Sequence, residues 1–319
     1  MTRIPTPDHT PDGPAYEGRL LDRADEDVVD QGAPFDIRTL LSRRSVLSLV
    51  GVGVGALALA ACAPRQANSS PIATSTPSAS TDAPSSAAEG ALPAGEIPDE
   101  TAGPYPGDGS NGPDILERSG VVRSDIRSSL DSGSTAAGVP MMLELTILDT
   151  ANGDAPFVGA AVYVWHCDAE GRYSMYSDGV TGEDYLRGVQ VADADGRVRF
   201  TSIFPACYSG RWPHIHFEVY PDVSSITDAG SAIATSQVAL PESVSDAVYA
   251  LPAYAGSTRN LSGVSLESDN VFGDDGGALQ LATVAGDTSA GYAVSLTARV
   301  DTRTAPTAGA APGGQSRSR

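Results

Sequence analysis

The chain has 319 residues, and 40 Asp and Glu outnumber 20 Lys and Arg to give a net charge of −20. No basic patch or stacked aromatic run marks a nucleic-acid groove, which excludes that class of partner. The acidic balance serves solubility and disfavours a polyanionic substrate.

Taken in chain order, residues 1–42 form a long extension, acidic around Asp22 to Asp27, for which the sequence offers no physical account. Ser42-Arg43-Arg44-Ser45-Val46-Leu47 is a twin-arginine pattern, and Val46 to Ala61 is an apolar run rich in Gly and Ala. A spanning helix needs about 20 apolar residues; this shorter run suits the apolar stretch of an export signal. It ends in Leu59-Ala60-Ala61-Cys62, which looks like a bacterial lipoprotein processing site. The expectation is a leader over 1–62, twin-arginine export of folded cargo, and lipid on Cys62 at the outer face of the cytoplasmic membrane. An uncleaved anchor, or a chance Cys after an ordinary signal, is the plain alternative.

Residues 63–96 are dominated by Ser, Thr, Ala and Pro, and the 305–319 tail is rich in Gly, Pro, Ser and Arg. Such segments bury too little apolar surface to offset their ordering entropy, so a disordered linker and a disordered tail are expected. Between them lies a globular part over 97–304, roughly 200 residues and enough for one core.

Short strand-like runs recur through that part: Met141 to Leu148, Ala161 to Cys167, Gly188 to Val191, Arg197 to Ser202, His214 to Tyr220 and Tyr292 to Val300. Gly and Asp punctuate them, as in Asn152-Gly153-Asp154 and Asp193 to Gly196. The spacing predicts an all-β fold, an antiparallel two-sheet sandwich with long loops, and a short helix over Ser243 to Ala250.

Within this frame, His214-Ile215-His216-Phe217-Glu218-Val219-Tyr220 alternates with period two, as a half-buried strand does. Both histidines then share one face, and Ile215, Phe217 and Val219 share the other. Tyr173 and Tyr208 precede this strand, and Arg211 stands three residues before His214. Imidazole suits zinc, copper, iron and nickel alike, but two phenolates are hard anionic donors that favour a small, highly charged ion such as Fe(III). A bound cation of that charge holds a phenol deprotonated. Each residue also has an ordinary reading: a structural His pair, turn or core tyrosines satisfied by backbone, a surface arginine. Of the four histidines, His9 lies in the leader and His166 reads as a packing residue behind the site. Cys167 and Cys207 fall near Tyr173 and Tyr208; a disulfide and two free buried thiols both remain open, since sequence does not fix the geometry of a bridge.

The same stretch resembles the intradiol ring-cleavage dioxygenases, the family of catechol and protocatechuate dioxygenases. The resemblance is carried by Glu100-Thr-Ala-Gly-Pro-Tyr-Pro106, Pro156-Phe-Val-Gly-Ala-Ala-Val-Tyr-Val-Trp-His-Cys-Asp168, Arg187-Gly-Val-Gln-Val-Ala-Asp-Ala-Asp-Gly196, Phe200-Thr-Ser-Ile-Phe-Pro205, Thr235-Ser-Gln237 and Asp246-Ala-Val-Tyr249, and it covers roughly residues 97–300. It implies a transthyretin-like sandwich core and a non-haem Fe(III) held by Tyr173, Tyr208, His214 and His216. Tyr208 is implied as the ligand that leaves when substrate binds, Arg211 as the group stabilising negative charge on the aromatic, and Gln237 as a residue touching substrate. The implied reaction uses O2 to cleave a catechol-type diol between its hydroxyl-bearing carbons, giving a muconate-type dicarboxylic acid. The flank of Gln237 and the Cys at 207 depart from the usual family pattern, and the helical dimerisation segment found ahead of this core in catechol dioxygenases proper is not expected. Two other readings stand beside this one: a non-catalytic transthyretin-like module, and a copper- or zinc-binding surface lipoprotein using His214 and His216.

Overall fold

A computed structural model describes residues 8–10, 13–16, 19–21, 95–304 and 306. The twin-arginine pattern, the apolar run, Cys62, residues 63–94 and the 307–319 tail lie outside the described residues. The N-terminal extension, read from sequence as addressing alone, carries three short antiparallel strands, β1 (Asp8–Thr10), β2 (Gly13–Tyr16) and β3 (Arg19–Leu20). Its first turn is closed by Thr10, whose hydroxyl donates to the Gly13 carbonyl at 2.7 Å.

Apolar residues at every second position make β4 (Pro140–Asp149) the keel of one sheet: Met141, Leu143, Leu145 and Ile147 are buried and the intervening residues are not. On one side β4 pairs with β5 (Ala155–Pro156) and β8 (Arg197–Ile203), both antiparallel. On the other it pairs with β12 (Gly291–Val300), which in turn pairs with β11 (Thr283–Asp287). The second sheet has the order β10-β9-β6-β7, from β6 (Ala161–Trp165), β7 (Arg187–Val191), β9 (His214–Tyr220) and β10 (Ala234–Ala239), all antiparallel. The two sheets enclose one hydrophobic cluster that includes Val164, Phe217, Leu145, Phe200 and Val294.

The architecture is the expected all-β sandwich, with one difference in pairing. β12 lies parallel to β4, with Leu296 opposite Leu145. A parallel pair needs a long crossover rather than a hairpin, and here the whole second sheet intervenes between the partners. Tight turns meet the remaining demands: Gly196 adopts φ 75°, and a Cβ there would stand 2.5 Å from the Ile147 carbonyl oxygen.

The expected helix forms as α1 (Glu242–Tyr249). A second, α2 (Ser257–Leu261), has no periodic signal in the sequence and follows a 3-10 turn at Pro252–Tyr254. Both serve as a brace for the loop after β8. Tyr249 and Tyr254 donate their hydroxyls to the Pro205 and Phe204 carbonyls at 3.1 and 2.8 Å, and Asn260 Nδ2 donates to the Cys207 carbonyl at 2.9 Å.

Candidate metal centre

β9 places the histidines. It lies between β6 and β10, and register pairs His216 with Trp165 on one side and Gln237 on the other. Trp165 is paired in turn with Arg187 of β7. Directly paired residues share a face, so Arg187, Trp165, His216 and Gln237 form one row across the sheet on the side away from the sandwich core. The strand was expected to be half-buried, but all seven of its residues are buried. The reason is a cover of loops over the histidine face. The Glu100 amide donates to the Thr235 carbonyl at 2.6 Å, Gly103 at φ 73° presses against the His216 ring, and Tyr105 packs on Tyr173 at 5.0 Å.

Tyr173 arrives on the loop after β6. Buried Asp168 gathers that loop, accepting from the Glu170 and Arg172 amides through Oδ1, and from Arg172 Nε and the Tyr185 hydroxyl through Oδ2. Tyr208 arrives on the braced loop after β8, next to Cys207, whose amide donates to Ser257 Oγ at 3.1 Å. The donors converge. Tyr208 Oη and His214 Nε2 are 3.1 Å apart, His214 Nε2 and His216 Nε2 3.1 Å, Tyr173 Oη and Tyr208 Oη 3.4 Å, and Tyr173 Oη and His214 Nε2 3.5 Å. Donors about 2.1 Å from a shared centre stand about 3.0 Å apart at right angles and about 3.4 Å apart at the tetrahedral angle, so these spacings fit a single ion.

The protonation pattern agrees with that fit. His214 Nδ1 lies 2.5 Å from the Trp212 carbonyl, an arrangement that puts the ring proton on Nδ1 and leaves the Nε2 lone pair facing the other donors. Burial, with Arg211 nearby, lowers the pKa of His214 to about 3, and burial with His214 alongside holds His216 well below its usual value. Both rings are therefore neutral and available. Burial and the neighbouring Tyr208 push the Tyr173 phenol well up, so a phenolate there needs a cation beside it. His216 Nδ1 is buried without a hydrogen-bond partner among the described residues, and its ring stacks on Trp165 at 4.8 Å and 8°. Two neutral imidazoles and two phenols form a donor set suited to a small trivalent cation. Among the described residues no group of three or more His, Cys, Asp or Glu gathers as an alternative site.

Arg211 is buried beside this cluster. Its Nε donates to Asp269 Oδ2 at 3.0 Å, and its Nη2 donates to Gln237 Oε1 at 2.6 Å. Burial works against its charge, but Asp269 together with the Tyr208 and Tyr173 phenols outweighs it and its pKa is raised. Gln237 Nε2 donates to the Thr101 carbonyl at 3.2 Å. Every residue singled out from sequence, Tyr173, Tyr208, Arg211, His214, His216 and Gln237, thus falls in one place. His166 stands behind it, with Nε2 2.7 Å from Ser202 Oγ, and Cys167 and Cys207 are free, buried thiols. Sequence reasoning missed Asp269, which sits in an unremarkable Ser-Asp-Asn-Val-Phe stretch, and the buried guanidinium of Arg187. Arg187 holds the loop cover through the Pro106 carbonyl and Ser174 and lies 5.3 Å from the Tyr176 ring centroid.

Residues 110–221 match the dioxygenase family model. That matched segment is about a third of the chain, and its likeness is to the intradiol ring-cleavage dioxygenases. The chain's similarity to a catechol 1,2-dioxygenase of Pseudomonas sp. is 32% identity over 89 residues, 28% of this chain and 28% of that one. To a chlorocatechol 1,2-dioxygenase of another Pseudomonas strain it is 29% over 129 residues, 35% of this chain and 49% of that one. The chain therefore aligns with less than half of either curated relative. An intradiol ring-cleavage dioxygenase from Tetranychus urticae shares the fold at TM-score 0.53 and 23% identity, covering 67% of this chain and 98% of that one.

Proposed function

We propose that this chain is an intradiol ring-cleavage dioxygenase that holds Fe(III) through Tyr173, Tyr208, His214 and His216 and cleaves a catechol-type ring between its hydroxyl-bearing carbons. Both atoms of O2 enter the product, a muconate-type dicarboxylic acid, so the diol and O2 balance it without a further reductant. The observation that carries this reading is the convergence of two phenols and two neutral imidazoles within hydrogen-bond distance of one another, with Arg211 alongside.

A ferric ion held by Tyr173, Tyr208, His214 and His216 would supply Lewis acidity and a template for the diol. The chain's own groups do the rest. Tyr208 is half-buried while the other three donors are buried, so it is the donor with room to swing aside, and its phenolate oxygen is the base that takes up one of the diol's protons. Arg211 presents fixed positive charge where the aromatic becomes anionic, and such preorganised charge is strongest in a site closed to water. Gln237 orients Arg211 from one side and is tied to the 101 carbonyl from the other. The cover of loops over β9 keeps bulk water from the reacting ring.

The test is the visible spectrum and iron content of the purified chain, before and after anaerobic catechol. A phenolate-to-iron band that shifts with catechol, disappears in Tyr173→Phe or Tyr208→Phe, and accompanies a muconate-type product under O2 is the expected result. A colourless, iron-free protein after reconstitution sinks the reading.

We further propose export through the twin-arginine pattern and anchoring by lipid on Cys62. Cys62→Ala is expected to move the protein from the membrane fraction to the medium; an unchanged membrane fraction argues against the lipid.

A further inference from the structure

The site contains a buried carboxylate that the reaction as described does not use. Asp269 has a fully buried side chain, and five donors converge on it. Oδ2 accepts from Arg211 Nε at 3.0 Å and from the Trp212 amide at 2.7 Å. Oδ1 accepts from the Val271 and Phe272 amides at 2.8 and 3.2 Å, and from Arg211 Nη2 at 3.4 Å. The carboxylate thus grips one edge of the guanidinium while the backbone on either side of it is tied to two separate segments, one leading into β9 and one from the loop that precedes β11. The same Nη2 is held by Gln237, and Nη1 has no hydrogen-bond partner among the described residues.

We propose that Asp269 is a positioning residue for ring cleavage: it locks Arg211 side-on, leaving the Nη1 end as the part of the cation that faces substrate. This rests on the intradiol reading above. An arginine side chain carries its planar guanidinium on several rotatable bonds and therefore has considerable rotamer freedom, and in a buried site a small displacement of a charge-stabilising group costs rate rather than affinity. Fixing it with a carboxylate that is itself pinned by three backbone amides removes that freedom before substrate arrives. Gln237 alone, a neutral acceptor bound through one oxygen, does not define the plane of the guanidinium; two carboxylate oxygens along one edge do.

The experiment uses the iron-loaded full chain with Asp269→Asn, Asp269→Glu, Arg211→Ala and the Arg211→Ala/Asp269→Asn pair. Asp269→Asn is expected to lower kcat about 10- to 100-fold, with KM changed less than about threefold, while iron content and the visible band are retained. Asp269→Glu, which keeps the charge, recovers part of kcat. In the Arg211→Ala background, Asp269→Asn has no further effect, because the two act as one unit. A readout independent of activity is amide hydrogen exchange in the metal-free protein, where the segment containing Trp212 is expected to exchange faster in Asp269→Asn. The role is overturned by a kcat within about twofold of wild type, by additive losses in the double variant, by iron and fold lost in step with activity, or by unchanged exchange at Trp212. A wild-type chain that carries iron but leaves every catechol intact instead sinks the dioxygenase reading, and this role with it.

Discussion

Arg211 and His166 show how burial assigns different work to two charged or chargeable side chains. Arg211 keeps its charge because Asp269 lies against it, so Arg211→Lys, which cannot span the carboxylate edge and Gln237 together, is expected to reduce kcat about 10²- to 10³-fold. Iron content should stay at the wild-type level, and steady-state kinetics beside metal analysis checks both. His166 is held neutral instead: burial lowers its pKa to about 4, with Nδ1 at the Cys167 carbonyl and Nε2 at Ser202. The unfolded chain takes up a proton at this position below about pH 6.5 that the folded chain refuses until about pH 4. Acidification across that window therefore favours unfolding, by on the order of 3 kcal/mol at its lower end. Glu218, with its pKa raised by burial to about 8, tilts stability the other way, losing it as pH rises from its unfolded value near 4.5. The comparison is thus between wild type and His166→Asn in urea unfolding of the metal-free protein, where the variant is expected to lose the His166 part of the slope between pH 6.5 and 4.

β9 does two jobs because a strand has two faces. Ile215, Phe217 and Val219 fill the sandwich core and are fully buried, and the histidines occupy the alternate positions. Phe217→Ala is expected to cost about 3–5 kcal/mol, read as a lower urea midpoint, because it opens a cavity directly beneath the proposed metal donors. Pairing on both edges, to β6 and β10, fixes the strand in register, and a slip by one residue would exchange histidine for isoleucine at the site. The loop after β8 lacks such a ladder, and its order depends on α1, the 3-10 turn and α2 pressing on residues 204–207.

Across the molecule, the proposed ion joins segments far apart in the chain: the loop after β6, the loop after β8 and β9. A ligand that binds only the folded chain stabilises it by mass action, about 2.7 kcal/mol at a hundredfold excess over Kd. Calorimetry is accordingly expected to give a higher melting temperature for the iron-loaded protein than for the same protein after chelation, and equal values would count against a bound ion at this centre. The family resemblance and the geometry bear on the same 95–304 body, while export and lipid anchoring rest on residues outside it.

The runs that form β4, β8 and β12 were legible as strands, and the alternation in β9 was legible because a residue's face in a strand follows from its parity alone. The two phenols and two imidazoles were legible as chemistry, since few donor sets combine those types, and the resemblance drew Arg211 and Gln237 to the same site. Local pattern could not supply the partners that make these groups function. β10 was not read as a strand, so the row of Arg187, Trp165, His216 and Gln237 depended on sheet order, a property of pairings between distant segments. The parallel pairing of β12 with β4 has the same origin, as does the full burial of β9, which depends on a loop cover contributed from residues 100–111. Asp269 is the plainest case. An aspartate in a loop carries no mark of its partner, and only the fold brings it within 3.0 Å of a guanidinium 58 residues earlier. Sequence alone determines which way a strand's side chains face and which donors are available; tertiary structure decides which of them meet, because desolvation and pairing energy exist only once distant segments have closed around them.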